Sequence, residues 1–449
     1  MGMIDREEID VKQLIEERQW QVLKEELKAM PIPDIADLLL EMNKGERVLL
    51  FRVLPRNISS DVFSYMFHEH RNALLKELTD EETRNLLSNL RPDDRTTLFE
   101  ELPGQVTQKL LNLLSPQDIK EARLLLGYPE KSVGRLMTPD YVAVRPEWTV
   151  EQALQQIRQK GKDSETLNVI YVTDQKWQLL DALDLHRFIL SSPEAKVSDL
   201  MDYNFIALSA FDDREESVHA MQKYDVFVLP VVDSEGVLLG IVTADDIMDV
   251  AEEEATEDFY RTAAVNPMKS SYREAGIWEL ISKRISWLLI LVLVSILSAN
   301  IIGYFEDVLE SLIILTIFIP LLIGTGGNAG AQSATLMVRA LATGDVEIDQ
   351  WFRTINKEML VGLALGIIMG IAGFILGYIK GGYEIAIIIG ITMVIIIIVA
   401  NLIGVALPFI LTRFGLDPAV ASNPLIASIV DATGLFIYFA VTTYILSMM

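Results

Sequence analysis

Two groups of carboxylates stand out as chemistry before any fold is considered. The first is a single residue, Asp431, in the run N-P-L-I-A-S-I-V-D-A-T-G at residues 423–434, inside the last long apolar stretch of the chain. A charge at the centre of a membrane helix costs about 2.5–3.5 kcal/mol to insert, so such a residue faces a polar cavity and marks an ion or proton path. The competing reading is an aspartate that caps or packs helices. The second group is D-D-I-M-D-V-A-E-E-E-A-T-E-D at residues 245–258, eight carboxylates with no base before Arg261. On a helix, Asp246, Asp249, Glu253 and Glu257 share one face, and like charges at that spacing repel by a few tenths of a kcal/mol per pair. A hard divalent cation such as Mg²⁺ or Ca²⁺ would relieve that repulsion, whereas a solvated acidic face would need no ligand.

The elements that position these groups follow from composition. Of the 449 residues, 1–282 are mixed and charged, and 285–449 are dominated by Ile, Leu, Val, Ala and Gly. This is a soluble half followed by a membrane half. The first ten residues carry no apolar run, so no cleavable signal peptide is expected and the soluble half is expected in the cytoplasm. There are no cysteines, which excludes disulfides, thiolate metal sites and a cysteine nucleophile. A formal charge of -25 argues against nucleic acid and for cations as partners.

Five spans can be drawn, at about 285–302, 312–342, 359–379, 385–411 and 421–446, each near or above the roughly 20 residues a bilayer requires. Lys283, Arg284, Arg339, Arg353, Lys357 and Arg413 fall on one side and Lys380 on the other. By the positive-inside rule the C-terminus is then outside the cell membrane. In the fifth span Pro424 occupies a first turn, where its missing N–H costs nothing. Asn423 beside it is placed to cap the helix and face a cation at the inner mouth. Asp431 lies about 12 Å deeper at 1.5 Å per residue, with Ala427 and Gly434 on its face. Because five is odd and each chain offers one carboxylate, a symmetric pore calls for a homodimer, whose paired aspartates would suit a Mg²⁺ ion that keeps several waters. The second span is expected to be interrupted by G-T-G-G-N-A-G-A-Q-S at residues 324–333, after Pro320. Asn328 there is a weaker pore candidate than Asp431.

Within the soluble half, apolar residues recur at helical spacing from Ile9 to Leu125, punctuated by Pro55, Pro92, Pro103 and Pro116. Residues 42–55 superpose on 90–103 at an offset of 48, so 1–131 is expected to be a helical solenoid. There Asp94 is expected to cap a helix, and Asp93 is kept as a metal contact. A second repeat has an offset of 64: Leu136-Met137 with T-V-E-Q-A-L recurs as Leu200-Met201 with D-R-E-E-S-V. Each copy continues with a β-branched strand and a helix starting near Asp184 or Asp246. These copies, with V-L-P-V-V-D-S-E-G-V-L-L-G-I-V-T-A-D-D-I at 228–247, resemble a tandem CBS-domain pair, which implies two β-α-β-β-α units over 132–262. CBS pairs commonly bind adenine nucleotides such as ATP, with an aspartate three residues after a Ser or Thr on the ribose. Thr243 and Asp246 match that pattern in the second copy, but Asp181 stands in the Thr position of the first. Residues 263–283, with Trp278, Lys269, Arg273 and Lys283, read as a connecting helix on the cytoplasmic membrane surface.

Together with L-L-I-G-T-G-G-N-A-G-A-Q-S-A-T-L and D-P-A-V-A-S-N-P-L-I-A-S-I-V-D-A-T-G-L, these parts resemble the MgtE family of magnesium channels over essentially the whole chain. The fold class is therefore multidomain: an all-α solenoid, an α/β CBS pair and a five-helix α transmembrane domain at 284–449. The resemblance implies a homodimer in the lipid bilayer whose pore is lined by the second and fifth spans. The cation would be held at Asp431, with Asn423 and Ala427 at the inner mouth. It further implies that cytosolic Mg²⁺ binds at Asp93, Asp213, Glu215, Asp225, Asp246, Asp249, Glu254, Glu257 and Asp258. The family often carries a second acidic residue one turn after the Asp93 position, where this chain has Thr97. The expectation is a self-gated importer and not an enzyme: high Mg²⁺ neutralises the acidic faces and closes the pore. An intramembrane metalloprotease is excluded, because His68, His70, His186 and His219 all lie outside the membrane half and no H-E-x-x-H is present. A nucleotide-regulated secondary transporter of divalent cations is the remaining rival, and it would be expected to carry coupling groups beyond one lone carboxylate.

Overall fold

The computed structural model describes residues 11–66, 68–268, 272 and 275–448. Two compact units meet at Glu252/Glu253.

The first unit opens with short helices of about ten residues, among them Trp20–Ala29, Ile32–Glu41, Lys44–Val53, Asp80–Asn89 and Pro92–Glu101. Each is too short to stand alone in water, so stability comes from stacking. Leu23, Leu27, Ile35, Leu39, Leu50, Leu87 and Leu98 form one core. The 48-residue offset is visible in three dimensions. Lys44–Val53 and Pro92–Glu101 are equal in length and end on extended leucines, Leu54 and Leu102, ahead of Pro55 and Pro103. A residue before proline is pushed out of the helical region, which is why both helices stop there.

Two three-stranded sheets follow. In each, a short strand pairs in parallel with the first arm of an antiparallel hairpin: Ala143–Val144 with Val169–Thr173 and Leu179–Asp184, then Leu208–Ser209 with Val228–Val232 and Leu238–Thr243. The register shift after Val172 recurs after Val231, so the copies share even their irregularity. Helices Val150–Lys160 and Arg214–Tyr224 fill the crossovers. The second copy ends in the acidic helix, Ala244–Thr262.

In the second unit the expected connecting helix over 263–283 is not formed as a separate element among the described residues. The acidic helix ends where Ala264 adopts φ 56° and Val265 N–H donates to Tyr260 C=O. Pro267 has no amide to continue it. Residues from Ile277 onward already belong to the first apolar helix, Ile277–Tyr304, so Trp278 and Lys283 are its opening turns. Lys269 and Arg273 lie outside the described residues.

Among the described residues, four helical stretches are long and apolar enough to cross a membrane: Ile277–Tyr304, Ile313–Ala342, Ile348–Arg413 and Asn423–Met448. The third contains Gly382 at φ 83°, ψ −169°, a conformation closed to L side chains, and there the chain doubles back. Glycines on the first arm sit directly on the second arm: a Cβ at Gly377 would lie 2.7 Å from Ala386 Cα, and one at Gly370 would lie 3.0 Å from Gly390 C=O. Small residues at this spacing let two helices approach backbone to backbone. The expected interruption at residues 324–333 is absent. A 3₁₀ turn, Ile313–Phe318, leads into an unbroken glycine-rich helix, Ile319–Ala342, with Pro320 in its first turn. Proline is tolerated there, and glycines continue a helix wherever packing supports them. Tyr438 O–H donates to Leu315 C=O at 2.9 Å, closing a core of Phe318, Leu322, Ile389, Met393, Leu435 and Phe439.

Candidate functional site

In the membrane unit, Asp431 belongs to the last helix, Asn423–Met448, and looks across at Gly327 of the glycine-rich helix. A Cβ at Gly327 would lie 3.5 Å from Asp431 Oδ1 and 3.5 Å from Ala427 Cβ. Two turns away along the same contact, Thr335 Oγ1 donates to Asn423 Oδ1 at 3.1 Å. The three sequence-derived pore residues, Asn423, Ala427 and Asp431, are therefore gathered on one seam. Asn328, Gln332 and Thr335 are exposed, giving the glycine-rich helix an open polar surface. Gly434, by contrast, packs towards Ile396.

A second carboxylate in this unit escaped the sequence reading. Glu358 Oε1 accepts from Ser333 Oγ at 2.5 Å and from Asn401 Nδ2 at 3.2 Å. It falls just ahead of an apolar run, beside Lys357, and so reads as an ordinary flanking charge. Asp417 was missed in the same way. Its Oδ1 accepts from Ala419 N–H at 2.7 Å, shaping the turn that leads into Asn423, while Oδ2 pairs with Arg261. Arg261 pairs as well with Glu257, one turn back on the acidic helix. Asp258 is raised above the usual carboxylate range by burial and then by Asp417 and Glu254. Glu254, Glu257 and Asp258 are thus collected about one guanidinium at the turn before the last helix.

In the first unit, Asp93 is only 6% exposed and its Oδ1 has no hydrogen-bond partner. Burial pushes its carboxyl well above the ordinary value, and the neighbouring charges of Asp246 and Asp94 push it further. Asp246 itself is pushed up to about 7, by burial first and Asp245 second, although it accepts from Thr243 Oγ1 at 3.0 Å. Glu165 and Asp140 join the same electrostatic neighbourhood, with Arg91 paired to Glu165. Neither acid belongs to a motif, and only the fold brings them in. Asp94 does not cap its helix as expected, because its Oδ2 instead accepts from Ser64 Oγ at 2.9 Å. Thr97, one turn after Asp93, is exposed.

Asp213 and Asp225 stand at opposite ends of one helix. Asp213 caps the Arg214–Tyr224 helix by accepting from Glu215 N–H, and Asp225 ends it at φ 53°. Eleven helical residues, about 16 Å, separate the two ends. Asp249 and Glu253 are exposed on the acidic helix. Among the described residues no three His, Cys, Asp or Glu side chains converge closely enough to hold a metal by themselves. The pair Asp93 and Asp246 still fits a divalent cation: a buried, partnerless carboxylate oxygen beside a second carboxylate supplies hard ligands, and Mg²⁺ fills its remaining positions with water. In the first sheet copy, Asp181 is fully buried and accepts from the backbone N–H groups of Ala182, Asp202 and Tyr203. It fastens the segment joining the two copies.

Comparison with known proteins supplies an independent view. Residues 319–441 match a family model described as a divalent cation transporter, MgtE. Residues 30–131 match the MgtE intracellular N domain, and 133–188 and 197–253 match CBS domains. The magnesium transporter MgtE of Thermus thermophilus is 44% identical over 73% of this chain and 72% of its own length. That of Enterococcus faecalis is 32% identical over 95% of this chain and 97% of its own. Among solved structures, the cytosolic domain of the Mg²⁺ channel MgtE in complex with ATP is 34% identical, with a TM-score of 0.52, and spans 54% of this chain and 99% of that one.

Proposed function

Because the chain belongs to the MgtE family of magnesium transporters, we propose that it is a homodimeric Mg²⁺ channel that imports magnesium and is closed by cytosolic Mg²⁺. The observation that carries this reading is the seam formed by Asp431, Ala427 and Asn423 against Gly327 and Thr335. It is polar, open on one side of the protomer and equipped with one carboxylate. A second copy related by a two-fold axis would close the open side and double the carboxylate. Counting the hairpin at Gly382 as two crossings gives five, with 1–131, 132–262 and the following segment on the cytoplasmic side and the C-terminus outside.

Gating rests on Asp93, Asp246, Asp249, Asp213, Glu215 and Asp225 in the first unit and on Glu254, Glu257, Asp258 and Asp417 in the second. Ionised carboxylates that face one another without cations repel. Mg²⁺ would favour the state in which they approach, and the shift it produces cannot exceed its differential affinity for the two states. Asp417 carries the effect forward, since the turn it shapes runs directly into the last helix.

ATP is a fitting ligand for the second CBS copy, where Thr243 and Asp246 would hold a ribose. The first copy lacks that chemistry, because Asp181 is committed to backbone donors. A second reading, a secondary transporter, draws on Glu358 as an additional carboxylate among the apolar helices.

The deciding experiment records currents from reconstituted protein while internal Mg²⁺ is raised to millimolar levels. Closure in the full chain and persistent current after deletion of 1–262 are expected. Unchanged inhibition in the deletion would sink the gating claim, and uptake that follows a proton or sodium gradient would favour the transporter.

A further inference from the structure

Ser333 and Thr335 are two residues apart on the glycine-rich helix, which sets them about 160° apart around its axis. Thr335 turns to Asn423 on the last helix, whereas Ser333 turns to Glu358 on the first arm of the hairpin. Asn401, from the second arm, donates to the same Glu358 oxygen and is 1% exposed. Backbones crowd around this junction. A Cβ at Gly404 would collide with Gly330 C=O and stand 3.0 Å from Ser333 Cβ, and one at Gly362 would stand 3.4 Å from Asn401 Cβ. Three helical passes therefore meet at one carboxylate, on the side of the glycine-rich helix away from Asp431. A charge-assisted hydrogen bond is shorter and about twice as strong as a neutral one, and it fixes geometry as well as energy.

From this junction we propose that Glu358 is a positioning residue for ion conduction. Its carboxylate holds the back of the glycine-rich helix through Ser333 and so sets the front, Gly327 and Thr335, against Asp431 and Asn423. Glu358 touches no ion in this role. The inference rests on the reading of the seam as the cation path.

The test uses the full chain in proteoliposomes. Glu358→Ala and Ser333→Ala are each expected to lower maximal Mg²⁺ flux on the order of tenfold, the loss expected for a hydrogen bond to a charged group. The half-saturating Mg²⁺ concentration should stay unchanged, and the double variant should be no worse than Glu358→Ala. Glu358→Gln keeps an acceptor oxygen for Ser333 and should recover most of the flux. A separate readout follows alignment. The chain has no cysteine, so Thr335→Cys with Asn423→Cys forms the one available disulfide across the seam. Its oxidation should slow when Glu358→Ala is added, in protein that still elutes as the intact assembly.

Wild-type flux in Glu358→Ala would overturn the proposal. So would lost flux with unaltered cross-linking and a normal Ser333→Ala, which would make Glu358 an ion contact. Flux that depends on external pH in wild type but not in Glu358→Gln would overturn it in favour of a proton carrier. If the wild-type chain itself carries no Mg²⁺, the reading of the seam fails and not the junction, whose cross-linking would still respond.

Discussion

Gly327 and Asp431 face each other with just enough room for a methyl group, since a Cβ on Gly327 would make ordinary van der Waals contact, 3.5 Å, with the Asp431 carboxylate. Gly327→Ala should therefore assemble and conduct, whereas Gly327→Val, with two further methyl groups, should press on Asp431 and Ala427. Overpacking of this kind costs about 1–3 kcal/mol when it is relieved by side-chain shifts. The expected result is Mg²⁺ flux reduced at least about tenfold in the valine variant with an unchanged elution profile; equal flux in both would take Gly327 off the path.

Removing the charge at Asp431 separates path from scaffold. Asp431→Asn keeps the shape and should leave assembly intact while lowering Mg²⁺ conduction or its preference over monovalent ions. The measurement is current in mixed-ion solutions, and wild-type selectivity would disqualify the residue.

Arg261 ties Glu257 to the turn at Asp417, so Asp417→Asn should loosen the link between the acidic helix and the last helix. Dose-inhibition curves in membrane patches should then show more current at millimolar internal Mg²⁺ than wild type. An unshifted curve would mean that gating bypasses this turn.

Asp246 gives a pH dependence with a definite sign. Its folded-state pKa is pushed up to about 7, against about 3.9 for free aspartate. Between those values the folded chain holds a proton that the unfolded chain has lost, so its contribution to stability grows as pH falls from 7 towards 4. A divalent cation needs the ionised form, so its contribution runs the other way. Without Mg²⁺, the cytosolic half of the full chain should resist protease better at pH 6 than at pH 8. The protection gained on adding Mg²⁺ should be larger at pH 8, and equal gains at both would refute the assignment.

Glycines on the glycine-rich helix and the hairpin are not equivalent. Gly404→Ala would drive a methyl group into Gly330 C=O, while Gly324 has nothing within 4 Å of the corresponding position. Thermal unfolding in detergent should show a clear loss for Gly404→Ala and none for Gly324→Ala.

Much of this architecture was legible in the chain itself. Asp431 was marked by hydropathy, because a lone carboxylate in an apolar run is too costly to sit there without a polar cavity or partner. The two sheet copies and the paired ten-residue helices were marked by repetition. What could not be read was convergence. Glu358, Asp417, Glu165 and Asp140 look like unremarkable surface acids until Ser333, Arg261, Arg91 and Arg95 are folded against them. Two of the expectations that failed did so for local reasons. The glycines at 324–333 proved helix-compatible because neighbouring helices support them, and Trp278, Lys283 and Arg284 proved to lie in the opening turns of an apolar helix.

The hairpin turning at Gly382 has a mechanical meaning beyond its geometry. Its arms touch through closely packed glycines from Gly362 to Gly377, so over that stretch they have little slack in which to slide and travel together. Of the motions open to the membrane unit, those that part the arms are foreclosed. Opening must be taken up at the seam between the glycine-rich and last helices, or at a boundary with another copy. Freedom to move is concentrated where the ion would pass.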